Sequence, residues 1–93
     1  MTIGVLTLEL AVLDAQSLKD KRRVIQSVKV RLRNTFNVSV AEVGCLDQRR
    51  HCRLAVAMVS RETRPLHSQL DKMVDFVRRS SGLTLIDYDR EIL

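Results

Sequence analysis

Seven lysines and arginines crowd into the eighteen residues from Ser17 to Asn34, "SLKDKRRVIQSVKVRLRN", against a single Asp20. That segment carries +6 in a chain whose formal net charge is +5, so the basic character of the protein is local. Side chains of this type and density bind anions, phosphates above all, through the ammonium charge of Lys and the forked N–H groups of Arg. Wound at 100° per residue, Lys19, Arg22, Arg23, Lys29 and Arg33 fall in one band about 120° wide beside an apolar stripe. Lys21 lies nearer the stripe's edge and Arg31 on the other flank. Cations in a first helical turn oppose the helix dipole at a cost of roughly 0.3 to 1 kcal/mol each, and like charges at helical spacing add a few tenths. A bound anion offsets that cost, because the free N–H groups of the helix start converge with the side chains on the same place. The competing reading is a solvated face that keeps the protein soluble.

A second patch is offered by Arg49, Arg50 and Arg53 in "GCLDQRRHCR". The same stretch holds both cysteines. A hairpin turning at Gln48 and Arg49 sets Cys45 opposite Cys52, a geometry open to a strained disulfide or, with His51, to part of a metal site. Zinc wants four ligands and neither a CxxC spacing nor a second cysteine pair exists, so the thiols read as inert and no metal or cofactor is expected. Glu42, Asp87 and Asp89 are carboxylates of the kind that surfaces carry in water. No phosphate-cradling glycine loop is present, and no enzyme is expected. Aromatic residues make up 3% of the chain, too few to stack bases, so any RNA partner is read by shape and charge.

The elements that must position these groups follow from periodicity. At 93 residues and 45% hydrophobic, the chain fits one domain spanning residues 1–93. "MTIGVLTLELAVL" alternates as a half-buried strand, with Leu6, Leu8, Leu10 and Val12 on one side. Ser17 and Asp20 read as a capping box opening a helix whose stripe is Leu18, Val24, Ile25, Val28 and Leu32, ending near Asn34 in a left-handed turn. "FNVSVAEVGCL" and "HCRLAVAMVS" form a hairpin, with a bulge in the first of the two where alternation breaks. Pro65 starts a second helix on Leu66, Leu70, Met73 and Val77, and Ser80, Ser81 and Gly82 stop it. "LTLIDYD" is a fourth strand and "REIL" a short tail. The order β-α-β-β-α-β packs most simply as a ferredoxin-like α+β domain: a four-stranded antiparallel sheet with both helices on one face. The uncovered face would show Val5, Ala11, Ala55, Ala57 and Val59, a small-residue apolar patch that predicts a homodimer or higher oligomer. No apolar run is long enough to span a membrane and no signal peptide is recognisable, so the expected location is the cytoplasm.

"SLKDKRRV" with "LRNTFNVSVAEV", and the similarity running from the first strand through "LDKMVDFV", resembles the YlxP-like family of small bacterial proteins, domain of unknown function 503. The resemblance covers about nine tenths of the chain. It implies a ferredoxin-like fold and no assigned activity. Genes of such proteins commonly lie among those for translation initiation and ribosome maturation factors, which implies an RNA or ribosomal-subunit setting by association. The motif positions that carry over are Ser17, Leu18, Lys19, Asp20, Lys21 and Arg22, followed by Arg23. The hairpin with its two cysteines and extra arginines departs from the family pattern. The leading expectation is a non-enzymatic RNA- or ribosome-associated accessory factor. The alternative is an oligomeric small-anion-binding or protein-interaction module, distinguished by a shallower salt dependence of binding.

Overall fold

Leu6, Leu8 and Leu10 alternate with Val5, Thr7 and Glu9, and a strand sends the two sets to opposite faces. In the computed structural model, which describes residues 1–93, this alternation builds β1 (Thr2–Ala11). There follow α1 (Leu18–Thr35), β2 (Ser39–Gly44), β3 (His51–Ser60), α2 (Thr63–Arg78) and β4 (Thr84–Ile92). The sheet order is β2-β3-β1-β4 and every pairing is antiparallel. This is the expected ferredoxin-like α+β arrangement. β1 and β3 fill the centre, and their inward residues Leu6, Leu8, Leu10, Leu54 and Val56 are fully or almost fully removed from water. Ile25, Val28 and Leu32 of α1 and Leu66, Leu70, Met73 and Val77 of α2 close over them in one core. Gly4 lets α2 approach the sheet: a Cβ there would stand 3.0 Å from a methyl group of Leu66. No helix is long and apolar enough to cross a membrane.

Several boundaries differ from those the sequence suggests, each for a local reason. α1 does not end in a left-handed Asn34; it runs to Thr35, and the Phe36 N–H closes it by donating to the Leu32 carbonyl at 2.8 Å. β2 starts only at Ser39, because Phe36 turns edge-on to Phe76 of α2, ring centroids 5.8 Å apart, and packs against the core. The broken alternation of β2 is a register shift between Glu42 and Gly44. "REIL" is largely strand: β4 continues to Ile92, and beyond it Leu93 and Ile3 exchange backbone hydrogen bonds. β4 is itself irregular, with a shift opposite Glu9 and Leu10 that places Ile86 out of register. The turn entering β4 is carried by Gly82 at φ +83°.

Candidate nucleic-acid interface

The first turn of α1 is closed by its own side chains. Ser17 accepts the Asp20 N–H on Oγ at 3.1 Å, and Asp20 reaches back through Oδ2 to the Gln16 N–H at 3.0 Å. This is the capping box shifted by one residue, since the return bond goes to Gln16 rather than to Ser17. One donor of the helix start is thereby consumed.

Lys21 is not a phosphate contact, contrary to its sequence-based assignment. Its side chain is 0% exposed, and Nζ donates to the carbonyls of Cys45 at 2.8 Å and His51 at 3.1 Å, with Leu46 at 3.5 Å. The Glu42 carboxylate lies 3.3 Å away and supplies the counter-charge. The reason is rotational: Lys21 falls at the middle of the buried arc with Ile25, Val28 and Leu32. An ammonium there costs several kcal/mol of hydration, and three carbonyls with a carboxylate make up for it. The lysine thus ties the start of α1 to the β2–β3 hairpin.

Cys52 joins the same cluster, donating from Sγ to Glu42 Oε2 at 3.2 Å. Burial first, then the hydrogen bond and charge of Glu42, push its thiol well above the ordinary range. A thiol held in its neutral form is a poor nucleophile. Cys45 adopts φ +61° just past the end of β2, and both cysteines are free thiols.

The outer cations of α1 fare differently. Lys19, Arg22, Arg23, Arg31 and Arg33 are exposed and Lys29 is half-buried. None of the six belongs to an ion pair of the protein, all four of which lie elsewhere or at Lys21. The band is divided by its neighbours. Arg23 lines a cavity of about 350 Å³ with Val24, Ser27, Arg31 and, from the turn after α2, Ser81. Arg22, Lys29 and Arg33 lie about 80 to 120° back around the helix from Arg23. Arg31, placed on the other flank by sequence reasoning, is therefore part of the arginine groove. The i, i+4, i+8 spacing of Arg23, Ser27 and Arg31 is the signal that identifies it.

The hairpin patch also divides. Arg49 and Arg50 are exposed in the loop between β2 and β3. Arg53 is withdrawn from the proposed patch: it stands on the open sheet face, where Nε pairs with Oε1 of Glu9, one position along β1 from Leu8, and that bond raises its pKa further. Of the open-face residues, Val5, Ala55 and Ala57 line a shallow apolar cavity of about 190 Å³ with Ala41 and Ser39. Val59 is 61% exposed. Ala11 is only 4% exposed and drops out of the apolar patch, because its short side chain sits between the longer His51 and Thr84 of the two flanking strands. Glu91, which the sequence reading does not single out, joins Asp87 and Asp89 in bordering this patch. Glu91, Asp89 and Asp87 are the β4 partners of Val5, Thr7 and Glu9, so three carboxylates line one edge of the open face. The alternation in "DYDRE" carries that signal once the strand is extended through Glu91.

The model for the family described as protein of unknown function, DUF503, matches residues 3–90. The chain belongs to the DUF503 family. A family relative, the uncharacterized protein YlxP of Bacillus subtilis (strain 168), is 33% identical over 75 residues, spanning 81% of this chain and 82% of that protein. Among solved structures, the fold is similar to LarC2 in its apo form, the C-terminal domain of a cyclometallase involved in the synthesis of the NPN cofactor of lactate racemase. The TM-score is 0.55 at 13% identity, with all of this chain covered and 55% of the other. The chain thus spans about half the length of that neighbour, and the likeness is one of fold. In the segment from Ser17 to Arg23, Ser17 and Asp20 cap the helix, Lys21 anchors it, and Lys19, Arg22 and Arg23 face water.

Proposed function

We propose that this DUF503 protein is a non-enzymatic RNA- or ribosome-associated factor of the cytoplasm that contacts phosphates through the outer face of α1. The observation that carries the reading is the six α1 cations without an intramolecular partner, next to a helix start already capped by Ser17 and Asp20. Unpaired cations at helical spacing repel one another, and phosphates spaced along a strand relieve that repulsion. Arg49 and Arg50 extend the same reading to the hairpin loop. A non-enzymatic role is supported by the Lys21–Glu42–Cys52 cluster, whose groups are occupied with one another and whose thiol is kept protonated. Cosedimentation with ribosomal subunits across a salt series, beside an Arg22→Glu, Arg23→Glu variant, tests it. Saturable binding that weakens with salt and is lost in the variant is expected. Equal pelleting of both proteins rejects the α1 assignment.

A second reading concerns assembly. The apolar cavity between Val5, Ala41, Ala55 and Ala57 favours a homo-oligomer through the β2 and β3 side of the open face. The β4 side, with Asp87, Asp89 and Glu91, would stay in water. Sedimentation equilibrium of the wild type and of Ala57→Glu checks this reading: dissociation by the substitution supports it, and a wild-type monomer at high concentration removes it.

A further inference from the structure

Two cavities on the outer side of α1 meet at Arg23 and Val24, which line both. The larger, about 350 Å³, presents guanidinium and hydroxyl groups: Arg23, Ser27 and Arg31 from the helix and Ser81 from the turn. Arg23 and Arg31 are separated by two helical turns, about 12 Å along the axis. The smaller, about 220 Å³, has apolar walls from Val12, Ala15 and Val24 and carboxyl groups from Asp14 and Asp20. Gly82, at φ +83°, brings the turn against Val24 and forms the wall between α1 and β4. Asp20 already accepts the Gln16 N–H, whereas Asp14 is exposed and outside every ion pair of the protein.

A carboxylate that shares a cavity with Arg23, next to the cavity Arg23 shares with Arg31, weakens general attraction for polyanions, since it repels phosphate. It serves a ligand that carries a hydrogen-bond donor one sugar away from its phosphate, because an ionised carboxylate only accepts. We propose that this groove takes a ribonucleotide unit, its phosphate against Arg23, Ser27 and Arg31 and its ribose 2′-hydroxyl donating to Asp14, and so selects RNA over DNA. The inference rests on the phosphate-binding reading of α1 and adds the class of sugar. The unit is a residue of an RNA strand or a free ribonucleoside 5′-monophosphate, which present the same chemistry.

The test is the affinity of the full chain for a short oligouridine, for its deoxy counterpart that differs only in the 2′-hydroxyl, and for uridine 5′-monophosphate. Wild type, Asp14→Ala and Arg31→Ala are compared by fluorescence anisotropy or calorimetry, and circular dichroism verifies that the variants, altered at exposed positions, are folded. The wild type is expected to prefer the ribo strand by about tenfold, the worth of one hydrogen bond to a charged group. Asp14→Ala removes a repulsion from both strands but a hydrogen bond from RNA alone, so the preference falls toward unity. Arg31→Ala weakens both strands in proportion. Binding of the free monophosphate with the same Asp14 dependence supports a nucleotide site, and strand preference without it supports a strand site. Equal affinity for the two strands, or a preference that survives Asp14→Ala, overturns the inference and leaves the phosphate reading of α1 standing. Failure to bind any of the three probes overturns both.

Discussion

Lys21 and its neighbours Arg22 and Arg23 are adjacent in sequence and opposite in circumstance. Lys21 is buried with four oxygen partners, while Arg22 and Arg23 project into water with no acid within ion-pairing distance. The contrast is repeated at larger scale between the two faces of the protein. On the open sheet face Arg53 is neutralised by Glu9, and Asp87, Asp89 and Glu91 of β4 line its edge. On the outer face of α1 no ion pair neutralises the charge. Composition alone gives every one of these cations the same weight. Structure sorts them into those the fold has used and those left for something outside it.

The sharpest way to test that sorting is to remove the buried member. Lys21→Met keeps the apolar stem but strands the Glu42 carboxylate and three carbonyls, and breaking a buried pair in this way costs roughly 3 to 5 kcal/mol. A domain of this size has about 5 to 15 kcal/mol in total, so urea denaturation should show a large fall in midpoint. Adding Glu42→Leu should recover part of the loss, since no charge is then left unpaired, but not all, because the carbonyls remain. A near-neutral Lys21→Met would mean that the hairpin tie is dispensable. By contrast, Arg22→Glu with Arg23→Glu should leave the denaturation midpoint almost unchanged and abolish RNA binding. Single neutralisations should each lower the slope of log affinity against log salt by about 0.7 to 0.9.

Most of the fold could be read from periodicity, and the reasons for the failures are specific. β3 runs from His51 to Ser60 as its alternation predicts, and the stripe Leu66, Leu70, Met73 and Val77 of α2 is buried, with Val74 beside it. For Lys21 residue type points to the surface and position to the core: its helical angle puts it among Ile25, Val28 and Leu32, and only the carbonyls of a hairpin distant in sequence make burial possible there. Arg31 and Ser81 come together because α1 and the turn after α2 are neighbours, which no local pattern reports. Arg53 lost its role to Glu9 through the register of β1 against β3, where the two are direct partners.

A smaller effect separates the buried cluster from the surface through pH. Cys52 keeps its proton in the fold well above the ordinary value of 9.0, with burial the largest cause and Glu42 the next. The unfolded chain therefore releases this proton first as pH rises. Stability from this group is complete below about 9 and declines above it, by at most about 1.4 kcal/mol per pH unit for one proton. Denaturation of wild type and Cys52→Ala between pH 8 and roughly 10.5 should show a steeper alkaline decline in the wild type. Parallel curves would place the Cys52 thiol in an environment no drier than that of the unfolded chain.

The smallest expected effect bears on the contrast between the two faces most directly. Arg53→Ala removes one positive charge, as Arg22→Ala does, and the two variants have the same net charge. If long-range attraction from the net charge governs RNA association, they weaken binding equally. If contact by unpaired cations governs it, Arg22→Ala weakens binding while Arg53→Ala leaves it almost unaltered, because Glu9 already cancels Arg53 on the far side of the sheet. The Glu9→Gln variant supplies the converse: it raises net charge and frees Arg53 without touching α1. Tighter RNA binding by Glu9→Gln would then locate a second phosphate contact on the sheet, whereas unchanged binding keeps recognition on the helix face.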